Sequence, residues 1–177
     1  MRVTVNPYTN CGTCASCRNG RVNACEFNQT LGVQRNGSMQ EYIALPWQKI
    51  IPAADLSQKE CALIEPMSVG FHAVSRAQVT DIDTVAVIGC GMIGLGAIVR
   101  ASLRGARVIA LDIDDEKLSL AKRLGAKEVI NSKSENVIER VKALTDGLMA
   151  DVVIEAVGSP ITYTTAIDIV GFTGRVV

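Results

Sequence analysis

The apolar positions of this chain change period twice. Over residues 3–52 they come in short alternating or β-branched runs: Val3-Thr4-Val5, then Gln40-Glu41-Tyr42-Ile43-Ala44-Leu45 before Pro46, then Lys49-Ile50-Ile51 before Pro52. Such runs, bounded by proline, glycine and asparagine, predict the strands of a small antiparallel unit. From Ser57 the spacing turns helical, with Glu60 placed as the partner of Ser57 in a capping box and Pro66 suited to the first turn of a second helix that reaches about Ala77.

From Thr84 the pattern alternates. Val85–Ile88, Arg107–Leu111, Glu128–Ile130 and Asp151–Glu155 read as strands, and Ile93–Arg104, Asp114–Leu124, Glu135–Leu144 and Pro160–Val170 as the helices between and after them, before Arg175-Val176-Val177. Strand and helix in strict turn predict a parallel sheet covered on both faces. The chain holds four βα units and the opening of a fifth strand.

Composition narrows the classes. The 177 residues, 48% hydrophobic and 4% aromatic, suffice for one good core or two modest ones. Lys plus Arg and Asp plus Glu both number 18, which gives no electrostatic footprint for nucleic acid or an anionic membrane. The longest apolar stretch, Thr84 to Val99, is 16 residues with four glycines, too short and too glycine-rich for a span. The expectation is a soluble, cytoplasmic protein with no nucleic-acid or membrane partner.

Cys11, Cys14, Cys17 and Cys25 stand as C-x2-C-x2-C-x7-C. That spacing brings four thiolates around one tetrahedral zinc, with Gly12, Asn19 and Gly20 supplying the turns. Two disulfides are the alternative, but residues 1–20 contain no apolar run of signal-peptide length to argue for an oxidising compartment. Four protein thiolates leave no open coordination position, so this zinc is expected to be structural.

Gly89-Cys90-Gly91-Met92-Ile93-Gly94 is G-x-G-x-x-G, following a predicted strand and opening a predicted helix. In that context Gly89 permits the turn, Gly91 lets a pyrophosphate approach the backbone and Gly94 lets the helix pack closely, with the amides of Met92 and Ile93 as phosphate donors. Asp112 ends the next strand 21 residues after Gly91, where a carboxylate accepts from the adenosine ribose hydroxyls. With Asp114 and Asp115 beside it, it would repel a 2′-phosphate, so the expected cofactor is NAD. Lys117, one turn into the following helix, reads equally as a ribose or phosphate contact and as a solvated lysine.

The cysteine loop, the segment Glu65-Pro66-Met67-Ser68-Val69-Gly70 and the glycine fingerprint together resemble the zinc-containing medium-chain alcohol dehydrogenases. The glutamate-proline segment is most similar to the polyol branch, sorbitol dehydrogenase with its sugar-acid and threonine dehydrogenase relatives. The resemblance covers essentially the whole chain. It implies an α/β fold: residues 1–65 as the later part of a chaperonin-10-like β-rich catalytic domain, and residues 66–177 as a connector helix and an incomplete Rossmann domain with a doubly wound parallel sheet. It implies hydride transfer from a secondary alcohol to NAD, and a homo-oligomeric intact enzyme.

The resemblance also implies a second, catalytic zinc, held by a cysteine and a His-Glu pair upstream of Met1, with Glu65 matching the position of a further ligand. Read from the residues alone, Glu65 is equally a carboxylate at a helix start, stabilised by the macrodipole. The one histidine, His72, lies seven positions from Glu65. That separation is about 10 Å along a helix, too far for both to hold one ion. Cys61 is expected in the core and Cys90 in the phosphate turn. Three ligands with an open position are not found, so both ends of the chain read as cut and the chain alone is expected to be inactive. A non-catalytic zinc- and NAD-binding module and an L-threonine dehydrogenase-type enzyme are the alternatives, and a zinc-ribbon nucleic-acid binder is disfavoured by the zero net charge.

Overall fold

The computed structural model describes residues 1–177, in which Val3–Val5 (β1) pairs antiparallel with Ile50–Pro52 (β2), Val3 opposite Pro52 and Val5 opposite Ile50. Between them lie the single helical turn Ala15–Arg18 (α1) and two 3-10 turns, Val22–Ala24 and Trp47–Lys49. The strand predicted over Gln40–Leu45 does not form. Its alternation is present, but no neighbouring strand completes a ladder, and Tyr42 is left 88% exposed. A lone strand leaves its N–H and C=O groups to water and gains nothing over irregular chain.

The helical stretch is one helix, Gln58–Arg76 (α2), rather than two. The capping box is present at its start, where the Ser57 amide donates to Glu60 Oε2 at 2.7 Å and the Glu60 amide to Ser57 Oγ at 3.2 Å. Pro66 therefore sits inside the helix, where it removes one hydrogen bond at a cost of about 3 kcal/mol. Burial of Gly70 and Val74 further along holds the helix together across it. Two compact units result, Met1–Ala62 and Leu63–Val177.

In the second unit, Thr84–Ile88 (β3) is followed by Met92–Leu103 (α3), Arg107–Asp112 (β4), Asp115–Arg123 (α4), Glu128–Asn131 (β5), Val137–Leu144 (α5), Ala150–Glu155 (β6), Pro160–Ile169 (α6) and Val170–Val176 (β7). All five strands are parallel, in the order β5-β4-β3-β6-β7. The first strand is thus central, and the chain winds outward first to one side and then to the other.

Alternate residues of the strands feed two cores. Val85, Val87, Val108, Val152 and Ile154 pack on one face with Leu95, Ile98 and Leu118, while Ala86, Ile88, Ile109, Leu111 and Val153 pack on the other with Ile130, Val141 and Ile169. The two-residue strand period, with both faces apolar, is what a doubly covered parallel sheet requires. Asp114, Asn136 and Ser159 cap α4, α5 and α6 with their side chains. The last helix stops one residue earlier than its pattern suggested, because Val170 already pairs with Ala150 as the start of β7.

Candidate functional site: a thiol cluster and a nucleotide cleft

The four loop cysteines meet. Their Sγ atoms all lie within 4.8 Å of one another, with Cys11 and Cys17 4.0 Å apart and Cys14 and Cys25 3.9 Å apart. Four thiolates about 2.3 Å from one zinc would be separated by about 3.8 Å, so the cluster is already close to tetrahedral dimensions. All six cysteines are free thiols, which is not the two-disulfide arrangement. Gly12 and Gly20 turn the loop at φ values of 77° and 73°, a region that favours glycine.

Local donors prepare the sulfurs as ligands. The Thr13 hydroxyl and the amides of Cys14 and Thr13 all donate to Cys11 Sγ, holding that thiol down at about 6, and the Cys11 amide donates to Cys25 Sγ at 3.4 Å. Amide donors likewise lower Cys14, whereas burial pushes Cys17 up to about 11. Thiolate is the form that metal binding needs. Within Met1–Ala62 the only buried side chains are Cys14, Cys17 and Cys25, so this unit has no apolar core of its own.

The second site lies at the carboxyl ends of the parallel strands. Gly89 has φ 95° and donates its amide to the Leu111 carbonyl at 2.8 Å, and Gly91 caps α3. Met92 and Ile93 occupy the first turn of α3, where N–H groups have no intrahelical acceptor. A Cβ at Gly91 would meet nothing, leaving that side of the turn open to a ligand, whereas one at Gly94 would collide with the Gly89 carbonyl. Gly94 therefore closes the turn itself.

Asp112 stands where β4 ends. Its Oδ2 accepts from the Cys90 amide at 2.7 Å, and its Oδ1 from the amides of Ile113 at 2.8 Å and Asp114 at 3.1 Å. Asp114 is turned to the α4 amides of Glu116 and Lys117, and Asp115 accepts from the Asn131 side chain at 2.6 Å. Of the three acids, Asp112 is thus the one that lines the cleft. Burial, and then the Asp112 carboxylate, push the Cys90 thiol up to about 12, so it is no nucleophile.

Around these groups is a cleft of about 320 Å³ lined on one side by Asp112, Ile113, Lys117 and Ser132 and on the other by Ala156, Val157 and Thr162. It straddles β3, where the winding direction reverses, the place at which open α/β sheets bind ligands. Ile113, Ser132, Ala156, Val157 and Thr162 were not singled out from the sequence. Each lies within two residues of a strand end or in the first turn of a helix, which is the signal that could have marked them.

Glu65 and His72 are not brought into any such gathering. Both are exposed on α2, and the only group of three or more His, Cys, Asp or Glu side chains close enough to share an ion is the cysteine cluster. Because α2 begins at Gln58, Glu65 is well inside the helix and not at its start, so the macrodipole gives it no special support. Cys61 is half-buried, not a core residue.

Comparison with known proteins agrees with this geometry. The family model for the alcohol dehydrogenase GroES-like domain matches residues 1–55, and that for zinc-binding dehydrogenases matches residues 93–177. An uncharacterized zinc-type alcohol dehydrogenase-like protein of Haemophilus influenzae is 38% identical over 176 residues, 99% of this chain and 52% of that protein. The sorbitol dehydrogenase of Bacillus subtilis is 36% identical over 169 residues, 94% of this chain and 48% of its own. Among solved structures, an Escherichia coli oxidoreductase/dehydrogenase of unknown specificity superposes with a TM-score of 0.94 at 31% identity, covering 99% of this chain and 52% of that one.

The chain belongs to the zinc-containing medium-chain alcohol dehydrogenase family. It spans about half the length of the curated relatives it matches.

Proposed function

We propose that this chain is the nucleotide-binding and structural-zinc portion of an NAD-dependent dehydrogenase that oxidises a secondary alcohol, a polyol or sugar acid, in the cytoplasm as a homo-oligomer. The observation that carries the reading is the cleft at the reversal of the sheet, with the open glycine turn at its centre and the Asp112 carboxylate at its edge. Asp112 would hold the adenosine ribose, the amides of Met92 and Ile93 the pyrophosphate, and Lys117 the outer ribose or phosphate edge. Bound NAD supplies the hydride acceptor.

Cys11, Cys14, Cys17 and Cys25 fit a structural zinc, which cross-links a loop that has no apolar core. A catalytic zinc is a different case. Outside the loop no three side chains of this chain lie close enough together to share an ion. Glu65 is the one ligand the chain would offer to such a metal, its partners lying elsewhere in a longer protein.

Titration of the 177-residue chain with NADH and NADPH, together with metal analysis, tests the reading. One zinc per chain and selective NADH binding are expected. Failure to bind either nucleotide, or robust oxidation of a polyol by the chain alone, would overturn it.

A further inference from the structure

Glu155 ends β6 as Asp112 ends β4, and the two flank the central strand β3. Its carboxylate is folded back on its own loop: Oε1 accepts from the Val157 amide at 2.9 Å and the Gly158 amide at 3.0 Å, and Oε2 from Gly158 at 3.1 Å. Gly158 holds φ 83°, which the tight return of the chain requires. The loop is pinned from below as well, because the Ala156 amide donates to the Ile88 carbonyl at 2.9 Å.

These bonds place the loop against the fingerprint. A Cβ on Gly89 would lie 2.7 Å from Val157 Cγ2 and 3.2 Å from the Ala156 carbonyl, so the loop touches the glycine turn directly. Val157 is nevertheless 55% exposed and lines the cleft. Asp112 and Lys117 occupy the opposite side. A dinucleotide whose adenosine ribose sits on Asp112 must run across the reversal point toward β6, which puts its nicotinamide half on the Ala156–Gly158 wall.

We propose that Glu155 is a positioning residue for that half of the dinucleotide: by accepting both loop amides, it sets Val157 as the apolar surface on which the nicotinamide end rests. The inference rests on the nucleotide reading above. Glu155 itself need not touch the ligand. Without its carboxylate the Val157 and Gly158 amides lose their acceptor, and the loop loses the geometry that presents Val157.

The test compares ligands that do and do not reach this wall. NADH and ADP are titrated into the full chain and into Glu155→Ala, Glu155→Gln and Gly158→Ala, with nicotinamide fluorescence reading the NADH environment and calorimetry reading ADP. Two modest hydrogen bonds predict a loss of about tenfold in NADH affinity for Glu155→Ala. ADP affinity should stay within about twofold, and Glu155→Gln, which keeps an acceptor oxygen, should recover most of the loss. Gly158→Ala, strained at its positive φ, should reproduce the selective loss if Glu155→Ala does not fold. Equal weakening of NADH and ADP, or unchanged NADH binding in the folded variants, overturns the proposal. If the parent chain binds neither ligand, the nucleotide reading itself fails, which is a different result.

Discussion

The Asp112 carboxylate reaches the Cys90 amide at 2.7 Å, so the residue that ends one strand also fastens the glycine turn that follows its neighbour. A ribose held there, as proposed above, would share that carboxylate with the glycine turn. The turn and the end of β4 are joined through one side chain.

Asp112→Ala should for this reason weaken NADH binding by about 10- to 100-fold, the range for a charge-assisted hydrogen bond. Asp112→Asn keeps an acceptor for the Cys90 amide but loses the charge. Its side-chain NH2 then faces the amides of Ile113 and Asp114, so it should lower thermal stability modestly, by less than Asp112→Ala, while narrowing the preference for NADH over NADPH, as read by melting curves and parallel titrations.

Glycine at 94 and 96 serves contact more than flexibility. A Cβ at Gly94 would strike the Gly89 carbonyl, and one at Gly96 would come 2.8 Å from the Met67 carbonyl, both backbone atoms that cannot swing aside. Each change to alanine should cost about 1–3 kcal/mol by urea denaturation. Gly91→Ala, whose Cβ meets no protein atom, should leave stability nearly intact and reduce nucleotide affinity instead.

Removal of metal should divide the chain by sensitivity to protease. Since the buried side chains of Met1–Ala62 are the three cysteines alone, chelation is expected to open that unit to limited proteolysis while Leu63–Val177, with its two apolar cores, stays resistant. Equal susceptibility of the two units before and after chelation would count against a structural metal.

Cys90 gives a pH signature. Burial raises its thiol from 9.0 to about 12 in the folded chain. A raised acid favours its neutral form in the folded state, so the stabilisation is complete below pH 9 and is lost as pH climbs from there toward 12. Cys90→Ala should flatten the decline in unfolding free energy between pH 9 and 11, measured as the difference from the parent.

How far the sequence could be read depends on whether its signals are local. The βα alternation of residues 84–155 is set by a two-residue and a 3.6-residue period, and those elements appear within a residue or two of their expected bounds. The cysteine cluster was equally legible, because ligand spacing is a property of the loop itself. Gln40–Leu45 failed because a strand depends on a neighbour that its own pattern cannot supply. Pro66 reads as a residue of a helix's first turn, since local preference places it there, while the burial of Gly70 and Val74 that carries α2 past it is tertiary. The backbone amides held by Asp112 and Glu155 were invisible for the same reason: hydrogen bonds across a turn leave no periodic trace.

The kink in β7 has a consequence for the register of the sheet. Ala150 pairs with Val170, yet Val152 pairs with Arg175, so the segment Gly171–Gly174 bows out between them, with Thr173 at φ 63°. A Cβ at Gly171 would lie 2.5 Å from the Leu148 carbonyl, and one at Gly174 would lie 2.8 Å from the Gly171 carbonyl. The bow can therefore fall only where these two glycines stand. A strand slipped by one residue would carry it onto side chains with no room for it, so the irregularity works as a pin that lets β7 meet β6 in a single alignment.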